Sequence, residues 1–345
     1  MEQTPESIEG ISVTNEIKYL GITITNKRNM FQEQKNKTIH KAQRLANMTY
    51  SVIARSCHKI TIGKAYWKSV CLPSILYGAS ILNFTENEIN KLQTIENGVY
   101  RQILGAPKYA QTCTLRGEVG ASSMKARIIE GRFMFLKSII EIYKTKTQEN
   151  ANREEDNRNK LMKEILRKTK LNFLNWMKTT TKHFTCIDMT YNDIETLDRE
   201  EIKRRIKIWD SEQWKKEVQE KSNLYIYKQF KLNIWCEEQL YDNTTASVIM
   251  YKARTNNLNL NDRNRFEDKD TSCIMCGAAV EDLQHFLLHC PGYVSQRATV
   301  PTLQQPYPED CCYIMGLLLF THAQHSKHVI YQMWNARESK RKENP

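Results

Sequence analysis

Three cysteines and a histidine stand at metal-ligand spacing, Cys273-x2-Cys276-x8-His285-x4-Cys290. Zn²⁺ takes four soft or borderline ligands in a tetrahedron, and a C-x2-C turn sets two thiolates on one side of the ion. The stretch from Glu281 to Cys290, stopped by Pro291, reads as a short helix that delivers His285 and Cys290 to the other side. His289 lies one turn after His285 and is an alternative fourth ligand. Phe286, Leu287 and Leu288 are expected to pack this small module against a neighbour. With all four positions filled by protein, the site would be structural, leaving none open to water. The competing explanation is four unrelated core residues; the spacing, in a chain lacking secretory features, favours metal.

Catalytic constellations are missing from the sequence. Two-metal phosphoryl transfer needs carboxylates gathered around paired cations, and no Asp-Asp dipeptide occurs. There is no Walker-type glycine-rich loop, no G-x-S-x-G elbow and no H-E-x-x-H. Glu154-Glu155 and Glu200-Glu201 sit in charged contexts and read as solvated faces. No catalytic residue is assigned.

Basic residues offer a different chemistry. No acidic residue falls between Gln34 and Thr85, yet Lys35, Lys37, Lys41, Arg44, Arg55, Lys59, Lys64 and Lys68 do. Lys37, Lys41, Arg44 and Arg55 lie largely off the apolar stripe of their helix, so they can form an outward ridge suited to phosphate contacts. A plain solvated face is the alternative. A second basic stretch holds Lys108, Arg116, Lys125, Arg127 and Arg132 against only Glu118 and Glu130, and Arg254, Arg263 and Arg265 could extend the surface. Trp209, Trp214, Tyr225, Tyr227, Phe230 and Trp235 crowd one region and read as core packing rather than base stacking.

The elements that must position these residues are mostly helical. Ile11 to Thr25 alternates β-branched and polar residues on both sides of Asn15-Glu16, which reads as two short strands. From Asn29 to Ser56 the period becomes helical, with Ile39, Ala42, Ala46, Thr49 and Ile53 on one face. A second helical segment runs from Thr61 to Tyr77, bent by Pro73. A third starts at a Thr85/Glu88 capping box, buries Ile89, Leu92, Ile95, Val99 and Ile103, and stops at Gly105 and Pro107. A fourth, Ser122 to Tyr143, presents Met124, Ile128, Phe135, Ile139 and Tyr143. Lys144 to Lys160 is charged and reads as a boundary or mobile loop. Helical stretches near 160–177 and 198–219 follow, the latter with Ile202, Ile206 and Trp209 on its core side. The tail after Gln332, ending in Lys340-Arg341-Lys342, reads as disordered. The expected fold is mainly α: a short β-hairpin, a helical array, then a helical region carrying the metal module.

At 345 residues the chain can bury one large core or two smaller ones. Its 51 Lys+Arg against 39 Asp+Glu give a formal charge of +12, which favours polyanionic partners. The longest apolar run, Ile314 to Phe320, is far too short for a membrane span. The N-terminus lacks the basic start and apolar stretch of a signal peptide. Ten cysteines in such a chain argue against a disulfide framework. Cys57, Cys71, Cys113, Cys186, Cys236, Cys311 and Cys312 read as ordinary free thiols, and nucleus or cytoplasm is the expected compartment.

Taken in order, several segments resemble the C-terminal half of a non-LTR (LINE-type) retrotransposon reverse transcriptase. Ile17-Lys18-Tyr19-Leu20-Gly21-Ile22 is similar to the strand after the polymerase palm, and Pro73-x-x-Leu76-Tyr77-Gly78 to a segment of the thumb. Ile89 to Arg101 with Ile103-Leu104-Gly105, then Leu115-Arg116-x-Glu118-x-Gly120, resemble the elements that follow. Trp214, Leu224, Tyr227 and Arg254-Thr255 come next in order. The metal segment resembles this family's CCHC, including Glu281-Asp282, His285-Phe286-Leu287, Cys290-Pro291-x-Tyr293 and Arg297. The likeness covers residues 8–300; single pieces are unspecific, and their ordered combination carries it.

The resemblance implies a residual palm-edge hairpin at 1–26, a thumb-like region at 27–143 and a charged linker with helical connector at 144–250. A zinc module at 251–300 and a tail at 301–345 complete the order. It implies RNA, RNA–DNA hybrid or DNA as partner, with other retroelement proteins besides, no membrane, and zinc as cofactor. Lys37, Lys41, Arg44, Arg55, Arg116 and Arg254 are the expected nucleic-acid contacts. The family's polymerase Asp-Asp motif lies upstream of the first matching strand, and only a few residues precede that strand here. No polymerase or nuclease activity is therefore expected of this chain on its own.

Overall fold

The structure, a computed structural model, describes residues 7–8, 11–12, 14–27, 29–149, 175–235, 238, 240–266, 269–300 and 311–343. The described residues are mainly helical, with strands among them confined to the first 25 positions. Two compact units are built from interleaved segments: 1–47, 68–95 and 122–210 form unit 1, and 48–67, 96–121 and 211–345 form unit 2.

Unit 1 opens with two separate antiparallel pairs. Strands β1 (Ser7–Ile8) and β2 (Ile11–Ser12) form the first, and β3 (Glu16–Tyr19) and β4 (Ile22–Thr25) the second. The expected division at Asn15-Glu16 is not the hairpin turn. The chain reverses at Leu20-Gly21, where both residues have positive φ (44° and 80°), the conformation of the two-residue turn that matches strand twist. β3 is exposed throughout, whereas Ile22, Thr23 and Thr25 of β4 are buried.

Helix α1 (Gln32–Arg55) buries Ala42, Ala46, Thr49 and Ile53, as its 3,4 spacing dictates. The next segment is broken: α2 (Lys59–Tyr66) widens into a π turn at Trp67–Cys71 before α3 (Leu72–Leu76). Pro73 explains the break, because its nitrogen has no hydrogen and its ring crowds the carbonyl of Ser69. Helix α4 (Glu86–Leu104) starts at the capping box: Thr85 N–H donates to Glu88 Oε2 (2.8 Å) and Glu88 N–H to Thr85 Oγ1 (3.3 Å). Glu88 also receives the buried Lys35 ammonium at 2.9 Å, a partner that local spacing does not announce.

Helices α5 (Thr112–Val119) and α6 (Met124–Glu149) follow. α6 continues through Lys144 to Glu149, and the rest of the charged stretch to Lys160 lies outside the described residues. Its core face is not the expected one. Met124 and Ile128 are buried, but Phe135 and Ile139 are exposed, and Ile129, Phe133, Leu136 and Ile140 take the interior. α6 is apolar around much of its circumference, so periodicity leaves the choice open. Packing decides it: Phe133 meets Phe184 of α7 (residues 175–187) with ring centroids 4.7 Å apart. The expected helix near 160–177 lies outside the described residues up to position 174.

Helix α8 (Tyr191–Thr196) and α9 (Arg199–Gln219) carry Ile194, Ile202 and Ile206 into the same core. The Lys137 ammonium closes α8 by donating to the carbonyls of Glu195 (3.0 Å) and Leu197 (2.8 Å).

The core of unit 2 collects Cys113, Trp214, Val218, Leu224, Tyr227 of α10 (Tyr227–Phe230), and Ile234. Of the crowded aromatics, Trp214 and Tyr227 are fully buried here and Trp235 packs partly buried against them, with Trp214 Nε1–H donating to the Cys113 carbonyl at 2.8 Å. Helices α11 (Thr245–Arg254), α12 (Val294–Arg297), α13 (Cys311–Gly316) and α14 (Ala323–Glu343) complete the unit. The expected disorder after Gln332 is overturned. α14 is helical to Glu343, and Ile330, Met333 and Arg337 form a buried stripe at 3,4 spacing. Basic composition at the end of the chain concealed that stripe. No helix among the described residues is long and apolar enough to cross a membrane.

Candidate metal centre

The four ligand atoms of Cys273, Cys276, His285 and Cys290 lie within 4.8 Å of one another, so the site can hold a metal ion. Cys273 Sγ and Cys290 Sγ are 3.7 Å apart, and Cys276 Sγ and His285 Nε2 3.3 Å. Local structure explains the convergence. Gly277, at φ 73°, reverses the chain after the second cysteine, and its N–H donates to the Cys273 carbonyl at 2.8 Å. This turn aims the N–H groups of Met275 and Cys276 at the Cys273 sulfur. The Gly292 N–H serves the Cys290 sulfur in the same way.

The expected helix at Glu281 to Cys290 is shorter than its sequence suggests. Helical geometry starts at Leu283, becomes a π turn at His285–His289, and is capped by Asp282, whose Oδ1 accepts the His285 N–H at 2.7 Å. Phe286, Leu287 and Leu288 are fully buried, as expected for a module seated on its neighbours. His289 is resolved as well. Its Nε2 lies 3.2 Å from Gln284 Nε2 and 3.8 Å from Cys311 Sγ, outside the cluster, so Cys290 is the fourth candidate ligand.

Burial pushes the Cys273 and Cys290 thiols above their ordinary range, and it pushes His285 down, keeping the imidazole neutral. A cation between the sulfurs would reverse the thiol preference, since a coordinating thiol is deprotonated.

One supporting pair was not legible. Glu281 lies next to the cluster, with Oε1 3.8 Å from Cys273 Sγ, and is wholly buried. Arg337 neutralises it through Nε at 2.8 Å and Nη2 at 2.6 Å, and Asn261 N–H donates to Oε2 at 3.0 Å. Burial works against the Arg337 charge, but the Glu281 carboxylate more than offsets it and holds the proton tightly. Arg297 braces the other end, donating from Nη2 to the Cys290 carbonyl at 2.5 Å. The stripe Ile330-x2-Met333-x3-Arg337 is the sequence signal that could have found this partner.

The expected phosphate contacts divide. Arg44 and Arg55 are exposed. Lys37 is exposed but pairs with Glu16 at 2.8 Å, and Lys41 is half-buried, donating to the Ser74 carbonyl at 2.9 Å. Arg116 is buried and lies 3.6 Å from Glu217. Arg254 is wholly buried between Glu118 and Glu238, each at 3.0 Å. Neither can extend an outer basic surface, because a buried guanidinium must be paired and these two spend their charge internally. Comparison with protein-family models, with curated proteins and with solved structures returns no match.

Proposed function

We propose that the chain is a nucleic-acid-binding part of a non-LTR retrotransposon reverse transcriptase. It holds RNA or RNA–DNA duplex on basic helix faces and is braced by Zn²⁺ at Cys273, Cys276, His285 and Cys290. The observation that carries this reading is the closed Cys₃His cluster. Zn–S bonds of about 2.3 Å and Zn–N bonds of about 2.0 Å in a tetrahedron require S–S edges near 3.8 Å and S–N edges near 3.5 Å. The 3.7 and 3.3 Å separations fit that ion. Four protein ligands leave no place for a reacting water, so the role is structural.

The +12 formal charge and the exposed Arg44 and Arg55 support the polyanion partner. The ordered likeness to the thumb and CCHC segments supplies the class. Polymerase and nuclease chemistry are assigned no residue here.

Binding of the purified chain to labelled RNA, RNA–DNA hybrid and duplex DNA across a salt series tests the reading, with zinc measured on the same sample. Affinity falling steeply with salt, alongside one bound zinc, is the expected result. Affinity insensitive to salt would overturn it. Bound zinc without nucleic-acid affinity would leave a helical protein-interaction module instead.

A further inference from the structure

Tyr109 stands out in unit 2 as a large aromatic side chain left 54 % exposed. It follows Pro107 and Lys108 in the turn after α4, a turn closed by Ala110 N–H donating to the Pro107 carbonyl at 3.0 Å. Lys108 is exposed beside it. The Arg263 guanidinium carbon lies 4.8 Å from the centroid of the Tyr109 ring. Core packing does not explain an aromatic ring held in this position, because about half of it faces solvent.

Arg263 is held from several directions. Its Nη2 donates to the Asn256 carbonyl, and its N–H to the Leu260 carbonyl at 3.3 Å. The short turn that carries it, Asn261–Phe266, is fastened to the metal module. Asn261 N–H donates to Glu281 Oε2 at 3.0 Å, Asp262 N–H to the Glu281 carbonyl at 3.1 Å, and Asn261 Nδ2 to the Ser272 carbonyl at 2.7 Å. The residues that orient the metal ligands thus also set the guanidinium against Tyr109. Asp262 is the acidic residue of this turn, and Arg263 beside it offsets its charge.

We infer that Tyr109 and Arg263 form a stacking platform for an unpaired nucleobase of single-stranded nucleic acid. One ring face meets Arg263; the exposed remainder is free to stack on a base, which a flat aromatic accepts whatever its identity. Lys108 is placed for the flanking phosphate. A paired base in a duplex hides its faces inside the stack, so the platform selects unpaired strand. The inference rests on the nucleic-acid reading above and adds which form of strand this surface takes.

The test uses the full zinc-bound chain and labelled oligouridylate RNA, oligothymidylate DNA, an abasic DNA of equal length, and a blunt duplex. Tyr109→Ala is expected to weaken both base-bearing single strands on the order of tenfold, leaving abasic strand and duplex unchanged. Tyr109→Phe keeps the ring and should bind as the unsubstituted protein, which separates loss of stacking from loss of fold. The RNA and DNA arms tell which sugar the strand carries. If Tyr109→Ala binds the single strands as tightly as the unsubstituted protein, the platform is overturned. If the unsubstituted chain binds duplex but not single strand, the platform again falls while the nucleic-acid reading stands. If it binds neither, both fall together.

Discussion

Glu281 and Arg337 meet in a bidentate pair that reaches no solvent, although 56 positions separate them in the chain. Glu281 touches the candidate metal cluster and Arg337 belongs to the C-terminal helix α14, so the pair fastens one to the other. Trp334 adds to the same contact, with its ring 6.4 Å from that of Phe286.

Arg337→Ala should cost about 3–5 kcal/mol of stability, because it leaves the Glu281 carboxylate buried and unpaired. Arg337→Lys retains charge but loses the two-pronged geometry, so it should recover only part of the loss. Denaturant unfolding of the three proteins measures both effects. A loss under 1 kcal/mol for the alanine variant would show that the pair is dispensable.

Replacing a ligand tests the metal centre directly. Cys273→Ser and His285→Ala should each lower bound zinc from about one equivalent toward none. Amide exchange should then quicken across 261–300 and in α14, the elements that Glu281 ties together. His289→Ala should keep its zinc, since that side chain points toward Gln284 and Cys311. Elemental analysis after dialysis reads the outcome.

Acid sensitivity should trace in part to His183. Its side chain is buried, Nδ1 finds no partner among the described residues, and burial, with Arg132 and Lys125 nearby, pushes its pKa down to about 3. Arg132 is itself buried, donating to the Leu82 carbonyl at 3.0 Å and lying 5.7 Å from the Trp176 ring. Because the folded state disfavours the proton, the contribution is complete above the unfolded value near 6.5. It is lost as pH falls from there toward 3, by up to roughly 1.4 kcal/mol per pH unit. His183→Gln cannot gain that charge, so its stability should decline less between pH 6.5 and 4 than that of the unsubstituted protein. Parallel curves would remove His183 as the cause.

The arginines should separate by burial. Arg44→Ala with Arg55→Ala should leave the melting temperature near that of the unsubstituted protein, weaken nucleic-acid binding for all sequences and flatten its salt dependence by about one unit of slope per contact. Arg254→Ala should instead lower the melting temperature severely, because Glu118 would remain buried without its cation. Thermal unfolding beside a binding titration distinguishes the two behaviours.

The sequence by itself determined what depends on local chemistry. Thr85 and Glu88 lie three residues apart, so their mutual capping follows from helix geometry alone. Pro73 breaks its helix wherever that helix packs. The Cys273-x2-Cys276 turn and the ligands that follow also act over short range, and their convergence was predictable from spacing. Tertiary structure decided what depends on distant partners. Arg254 and Arg44 are alike in sequence, yet one faces buried Glu118 and the other faces water. Phe133 is interior because Phe184 closes over it from α7, whereas Phe135 meets the Trp176 ring edge-on at 6.1 Å and stays exposed. Arg337 lies in the stretch whose composition reads as disordered, and only its partner 56 positions away gives its charge a place to be buried. Burying a charge or choosing an apolar face is worthwhile only when a complementary group arrives, and local sequence does not specify that arrival.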